Sequence, residues 1–367
     1  MVPSSPVIDA VSAHLAAFVS DVRADGAQYG PDAALFMESA AATLEGGKRL
    51  RARFCHSGWA AVARARSAEA TEPAALWDLA ASLEVFQSAA LVHDDLIDNS
   101  DTRRGRPATH RALESAHRRE GWDGDAESFG RASAVLLGDL LVAWSDDLME
   151  QAISGHPQAA AVRAEYARMR RDVTVGQMLD IAEESAWSAH TDEMHLERAL
   201  RVASLKSARY SVEQPLLLGA ALAEADAGQR DALRAFGHPI GMAFQLRDDV
   251  LGVFGDEALT GKPAGDDLRE GKRTVLVALT RQRLSGADRA ALDAALGDPG
   301  LDPAQVERMQ DAIRSSGALQ RVEAMIADYV AAADAALDDA AREGVALEAS
   351  ALEELRRLAH AATTRTS

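Results

Sequence analysis

His93-Asp94-Asp95-Leu96-Ile97-Asp98 closes a stripe of apolar residues. Upstream of it Leu76, Leu79, Leu83, Phe86 and Ala90 recur three or four positions apart, and Asp94 continues the same line. That period specifies a helix with one buried face. On such a helix Asp94 and Asp98 stand one turn apart, with Asp95 beside them. Like charges at this spacing destabilise a helix unless something offsets them. A hard cation is the natural candidate, because Mg²⁺ takes one or two carboxylates and completes its shell with waters and substrate phosphates. A cationic stretch, Arg103-Arg104-Gly105-Arg106, follows closely. An apolar wall capped by carboxylates is expected to be a pocket mouth.

Working outward, the same helical period dominates the whole chain, and no alternating run bounded by turns is found. The expected fold class is therefore all-α. Of the 367 residues, 47% are hydrophobic and 26% charged, which is enough apolar material for a sizeable core. No Pro- or Ser-rich linker and no fixed-period repeat divides the chain, so one large helical domain over residues 1–367 is expected, frayed at 1–6 and 363–367. Irregular breaks are expected at Glu45–Gly47, Gly121–Gly130, Gly155–Pro157 and Gly255–Lys272. The last mixes glycine with both charge signs over a length typical of functional lids.

The net charge of −18 argues against nucleic acid as a partner, since binding to a phosphate backbone needs a basic surface. Small phosphorylated substrates remain compatible, provided Lys, Arg and Mg²⁺ are concentrated locally. The single cysteine, Cys55, allows no intramolecular disulfide and fits a reducing, cytoplasmic setting as a buried thiol. No basic segment followed by an apolar core opens the chain, and no apolar run reaches the length of a membrane span. Neither a signal peptide nor a transmembrane segment is expected.

A second acidic motif lies far downstream: Phe244-Gln245-Leu246-Arg247-Asp248-Asp249-Val250-Leu251-Gly252. Ile240, Ala243, Phe244, Arg247, Asp248 and Leu251 share one broad helical face, and Pro239 suits the first turn of that helix. Two apolar helices ending in aspartates would set carboxylates across one cavity mouth. Three basic groups could complete a phosphate site: Gly47-Lys48-Arg49-Leu50-Arg51, Arg103–Arg106, and the lysines 206, 262 and 272. Arginine offers phosphate a planar fork and lysine a point charge.

These segments, with Gly176-Gln177-Met178-Leu179-Asp180, Lys206-Ser207 and Thr260-Gly261-Lys262, stand in an order that resembles the trans-isoprenyl diphosphate synthases, the polyprenyl synthetase family. The resemblance spans residues 40 to 280 and by helical pattern extends toward the C-terminus. It implies antiparallel helices around a deep central cavity, usually in a homodimer. Isopentenyl diphosphate and an allylic diphosphate are the implied substrates, with three Mg²⁺ ions as cofactor. By motif position Asp94, Asp98 and Asp248 are direct metal ligands, and Asp95, Asp180 and Asp249 are ligands or their supports. Arg103, Lys206 and Lys262 hold the allylic diphosphate. Lys48, Arg51 and Arg104 hold the other diphosphate, with Gln87 nearby. Gly47, Gln177, Phe244 and Lys272 complete the substrate-binding set. Lys206, Ser207 (where the family usually has Thr) and Gln245 form the implied catalytic set.

Two departures stand out. Gly252 replaces the third aspartate that the second motif often carries, and Ala52 replaces a common proline. Ala89 and Ala90 precede the first motif where bulky aromatics halt the family's products near farnesyl length. Two alanines leave room for a longer tail, and Phe86, one turn further down, is a candidate floor. Geranylgeranyl diphosphate (C20) is the expected product, with C25 or longer, or farnesyl diphosphate, as alternatives. Asp146-Asp147-Leu148-Met149-Glu150 mimics the motif but has no basic partner segment and reads as a solvated helix face. His93 reads as structural, and Asp266 and Asp267 as loop charges. A class I terpene cyclase is disfavoured by Asp248-Asp249 and by the Lys48/Arg51 pair. A non-catalytic partner subunit is disfavoured by retention of the aspartates.

Overall fold

The computed structural model describes residues 6–103, 105–255 and 264–364, leaving aside the side chain of residue 27. The helices, in chain order, are α1 (Pro6–Gly26), α2 (Pro31–Thr43), α3 (Leu50–Arg66), α4 (Ala74–Ile97), α5 (Thr109–Arg119), α6 (Ala126–Ile153), α7 (Ala159–Ala186) and α8 (Asp192–Val202). A π-helix (Ala203–Glu213) leads into α9 (Gln214–Leu222) and α10 (Ala227–Phe254). After them come α11 (Asp266–Glu270), α12 (Val275–Arg283), α13 (Gly286–Ala295), α14 (Pro303–Ser315), α15 (Ala318–Arg342) and α16 (Ala349–Thr363). The all-α expectation is borne out. The only strands among the described residues are Thr102–Arg103 and Arg106–Pro107, a two-residue antiparallel pairing just after the first acidic motif.

The apolar stripe on α4 divides between two clusters. Leu76, Leu79, Leu83 and Phe86 pack with Phe54 and Trp59 of α3, Tyr166 of α7 and Leu216 of α9. On the other side Ala81, Val85, Ala89 and Val92 pack with Leu137 and Leu141 of α6. Both faces being covered, α4 is hydrophobic nearly all round. It is consequently long and apolar enough to cross a membrane, which the sequence analysis did not recognise, but its apolar window is 72% buried inside the protein and serves as core. A third cluster gathers Leu246, Val250 and Val253 of α10 with α12 to α15.

Two glycines let α3 and α9 lie almost in backbone contact. A Cβ on Gly58 would stand 2.0 Å from the Leu216 carbonyl oxygen, and one on Gly219 would stand 1.8 Å from that of Cys55. Cys55 is fully buried at this crossing, and burial pushes its thiol well above the usual range, which leaves it unreactive.

Two boundaries differ from expectation. α10 starts at Ala227, where Asp226 and Gln229 form a capping box, so Pro239 lies inside the helix rather than in its first turn. Packing of α10 on its neighbours outweighs the hydrogen bond that proline removes. The break expected at Gly121–Gly130 ends at Asp125, whose side chain caps α6. Gly130 is buried within α6, because a Cβ there would meet the His110 carbonyl oxygen at 2.3 Å.

Candidate active site

The C-terminal turn of α4 presents its three carboxylates to cations from different elements. Arg103, in the short hairpin, donates from Nε to Asp95 Oδ1 at 2.7 Å and also from Nη2 to the same oxygen; Nη2 reaches Asp94 Oδ2 at 3.3 Å. Lys206 Nζ lies 3.4 Å from Asp94 Oδ1 and 2.6 Å from Asp180 Oδ2. Lys272 Nζ lies 3.1 Å from Asp98 Oδ2 and 2.6 Å from Glu270 Oε2. Gln177 donates to Asp94 Oδ1 at 3.3 Å. The like charges that a helix alone would not tolerate are thus offset from outside it.

Lys206 owes its position to two local features. It stands in the π-helix, whose wider turn is a recurrent device at functional sites. It also faces Gly176 of α7, where an added Cβ would lie 2.3 Å from the Lys206 backbone nitrogen. The Gly-Gln-Met-Leu-Asp segment therefore brings Gln177 and Asp180 against the lysine because its glycine has no side chain. Ser207 is half-buried in the same π-helix.

From α10, Asp249 is buried and accepts a hydrogen bond from Gln245 Nε2 at 2.6 Å, one turn earlier. Asp248 and Phe244 are half-buried on the same helix. Arg247 turns away from this group: its guanidinium pairs with Glu323 of α15 at 2.6 Å and donates to the Thr363 carbonyl at 2.9 Å. α10 thus offers its acidic face to the site and ties its other face to the C-terminal helices.

The charges act on one another strongly. Burial would lift the Asp94 carboxyl, but Lys206, Lys272 and Arg103 outweigh it and hold it at about 2. Asp98 is raised by burial, with Asp94 and Glu270 adding to the rise and Lys272 opposing it. Asp249 is raised well above the usual carboxylate range by burial, then by Asp267, Asp248 and Asp180. Burial works against the Lys206 and Lys272 ammonium groups, yet the surrounding carboxylates keep both raised.

Among the described residues no three His, Cys, Asp or Glu side chains are gathered into a ready-made metal cage. The oxygen donors are interleaved with Lys206, Lys272 and Arg103, and the buried Asp98 Oδ2 has no hydrogen-bond partner in its own right. An all-carboxylate donor set mixed with cations fits a hard ion that shares its shell with substrate phosphates, as Mg²⁺ does. It does not fit a closed structural site.

A second cationic patch lies deeper. Arg51 places its guanidinium 4.1 Å from the centre of the Tyr210 ring and donates to Ser211 Oγ at 2.7 Å. The Tyr210 hydroxyl donates to Gln87 Oε1 at 2.7 Å. Phe86 meets the Tyr210 and Tyr166 rings edge-on, at 5.7 and 6.4 Å between centroids. Ala90 packs toward this cluster, whereas Ala89 is buried against the α6 side. The two alanines therefore face different surroundings. Lys48 is exposed beside Gly47, which takes a left-handed φ of 89° that favours glycine. Arg49 is instead buried, donating to the Leu44 carbonyl at 2.6 Å. Arg104 and Lys262 lie outside the described residues. Tyr210 and Glu270 were missed in the sequence; Glu270 falls in the Gly255–Lys272 segment that carried the warning, but nothing in the sequence marks a π-helix.

The remaining acidic motif stays apart from this group. Asp146 pairs with Arg170 at 2.6 Å on the outer side of α6. His93 is packed against Gly138, with Nε2 3.3 Å from the Val135 carbonyl oxygen.

A family model described as polyprenyl synthetase matches residues 33–314. In three dimensions the chain is similar to a geranylgeranyl pyrophosphate synthase from Corynebacterium glutamicum complexed with isoprenyl diphosphate and magnesium. That comparison has a TM-score of 0.90 and 38% identity and covers 98% of each chain. A short chain isoprenyl diphosphate synthase of Methanocaldococcus jannaschii is 28% identical over 237 residues, which are 65% of this chain and 65% of that protein. A (2E,6E)-farnesyl diphosphate synthase of Mycobacterium bovis is 36% identical over 201 residues, 55% of this chain and 49% of the relative.

Proposed function

The chain belongs to the polyprenyl synthetase family and is a trans-prenyltransferase; from that premise we propose that it joins isopentenyl diphosphate to an allylic diphosphate and delivers mainly the C20 product, geranylgeranyl diphosphate. The observation that carries this reading is the interleaving of Asp94, Asp95, Asp98 and Asp180 with Arg103, Lys206 and Lys272 above an apolar core. The three ions implied by the family would be held through Asp94, Asp98 and Asp248, supported by Asp95, Asp180 and Asp249. Bound Mg²⁺ supplies positive charge to the diphosphate as it leaves.

The side chains do the rest. Lys206, Lys272 and Arg103 present their charges to the allylic diphosphate, stabilising the negative charge that develops as the C–O bond breaks with its electron pair on oxygen. Arg51 holds the second diphosphate, steadied over Tyr210, with Lys48 at the rim. The double bond of isopentenyl diphosphate attacks the allylic cation, and the proton then lost passes to the released diphosphate, so no side-chain base is needed. Gln245, fixed to Asp249, and the Ser207 hydroxyl serve the reacting end. The apolar wall around Phe86 keeps water from quenching the cation.

The relatives are named for different products, so tail length has to come from the wall itself. Ala90, beside Phe86, leaves room for a tail longer than farnesyl, and the rings of Phe86, Tyr166 and Tyr210 are the proposed floor. One catalytic domain in a cytoplasmic homodimer completes the proposal. Val135 and Leu136 on α6, Val175, Met178 and Ile181 on α7, and Met194 on α8 are all exposed, an apolar surface suited to a second copy.

Release of inorganic diphosphate by the purified protein tests the reaction class. Release only when both substrates and Mg²⁺ are present is expected. Release from the allylic substrate alone would indicate cyclisation, and none under any condition would indicate a partner subunit.

A further inference from the structure

The second acidic motif lacks its third carboxylate at Gly252, one helical turn beyond Asp248. We propose that Asp267, contributed by α11, supplies that missing carboxylate to the metal–diphosphate site. The inference rests on the prenyl-transfer reading above.

Steric complementarity carries it. A Cβ on Gly252 would stand 2.1 Å from Asp267 Oδ2, 2.3 Å from its Cγ and 2.7 Å from Oδ1. No side chain tolerates such approaches, so the Asp267 carboxylate occupies the space that a residue at 252 would fill. An aspartate at 252 would place its own carboxyl carbon about 1.5 Å from that Cβ, within the same volume. The two carboxylates are therefore alternatives for one position on the α10 face, and glycine at 252 is what admits Asp267.

The backbone around Asp267 makes the substitution a fixed feature of the fold. α11 is bounded by Gly265 and Gly271, both left-handed at φ 76° and 79°. Leu268 is fully buried beneath it, and the Lys272 amide donates to the Asp267 carbonyl at 3.0 Å. Asp267 is the foremost charged neighbour of both Asp249 and Lys272, and Lys272 in turn contacts Asp98 at 3.1 Å. The residue faces both acidic motifs rather than solvent, contrary to its reading as a loop charge.

The test measures Mn²⁺ affinity directly, by titration of the purified full-length protein with methylene bisphosphonate as an unreactive diphosphate probe. Asp267→Asn, which keeps shape and loses charge, is expected to weaken Mn²⁺ binding by roughly 10-fold or more. Its melting temperature without metal should not fall. Gly252→Asp alone should weaken binding through the clash, and Gly252→Asp combined with Asp267→Gly should restore it. Wild-type affinity in Asp267→Asn, with affinity lost in an Asp94→Asn control, overturns this proposal and leaves the prenyl-transfer reading intact. Unchanged affinity in both variants overturns both. Failure of the double variant to recover, with Asp267→Asn weakened, overturns the exchange of positions.

Discussion

Lys206 bridges Asp94 and Asp180, which come from helices far apart in sequence, and it is mostly buried between them. An ammonium so placed is available to a diphosphate without reorganisation, which is where electrostatic catalysis gains most. Lys206→Gln should lower kcat by roughly 10² to 10³-fold, as removal of one preorganised donor does elsewhere. Steady-state rates with saturating allylic substrate check this. Arg51 plays a different part. Its guanidinium both stacks on Tyr210 and hydrogen-bonds Ser211, a geometry that lysine does not reproduce. Arg51→Lys should raise KM for isopentenyl diphosphate while leaving that for the allylic substrate near wild type. At this scale the aspartates and basic residues were legible because their types and order are visible in the chain. Tyr210 was not, since a lone tyrosine four residues past a lysine carries no pattern until the π-helix turns it toward Arg51 and Gln87.

Helices bring these residues together through bare backbone. Gly176→Ala would press a methyl group to 2.3 Å from the Lys206 nitrogen and force α7 away from the π-helix. Overpacking of this kind costs about 1–3 kcal/mol, so the variant should melt lower and bind the allylic diphosphate more weakly. Thermal melts and KM measured on the same preparation check both effects. α7 also carries a pH-dependent load. Burial raises the Glu165 carboxyl above its usual range, with Glu213 and Asp172 adding to the rise and Arg168 and Arg234 opposing it. A raised folded value means that ionisation costs stability, a cost absent at low pH and complete once pH exceeds that value. Glu165→Gln should therefore raise the melting temperature at pH 8 and leave it unchanged at pH 4. Helix existence was readable from periodicity, but ends were less so. Pro239 and Gly130 were taken as boundary signals, and both lie inside helices because tertiary packing overrides local preference.

At the scale of the whole molecule, the apolar wall below the acidic motifs decides what the enzyme makes. Phe86, Tyr166 and Tyr210 close it with three rings in edge-on contact. The sequence gave no means of pairing Phe86 with rings from α7 and the π-helix, since contacts so distant along the chain leave no periodic trace; its place on the α4 stripe was all that could be read. Phe86→Ala should extend the product beyond C20, at a stability cost of about 3–5 kcal/mol from the lost ring. The exposed apolar side chains on α6 to α8 predict a dimer, which light scattering on the eluting protein would register as twice the chain mass. The most direct test of the account is the mass of the product formed by purified protein from isopentenyl diphosphate with dimethylallyl, geranyl or farnesyl diphosphate, with and without Mg²⁺. A linear C20 diphosphate made only with Mg²⁺ is the predicted result; a cyclic hydrocarbon, or no elongation of any starter, would contradict it.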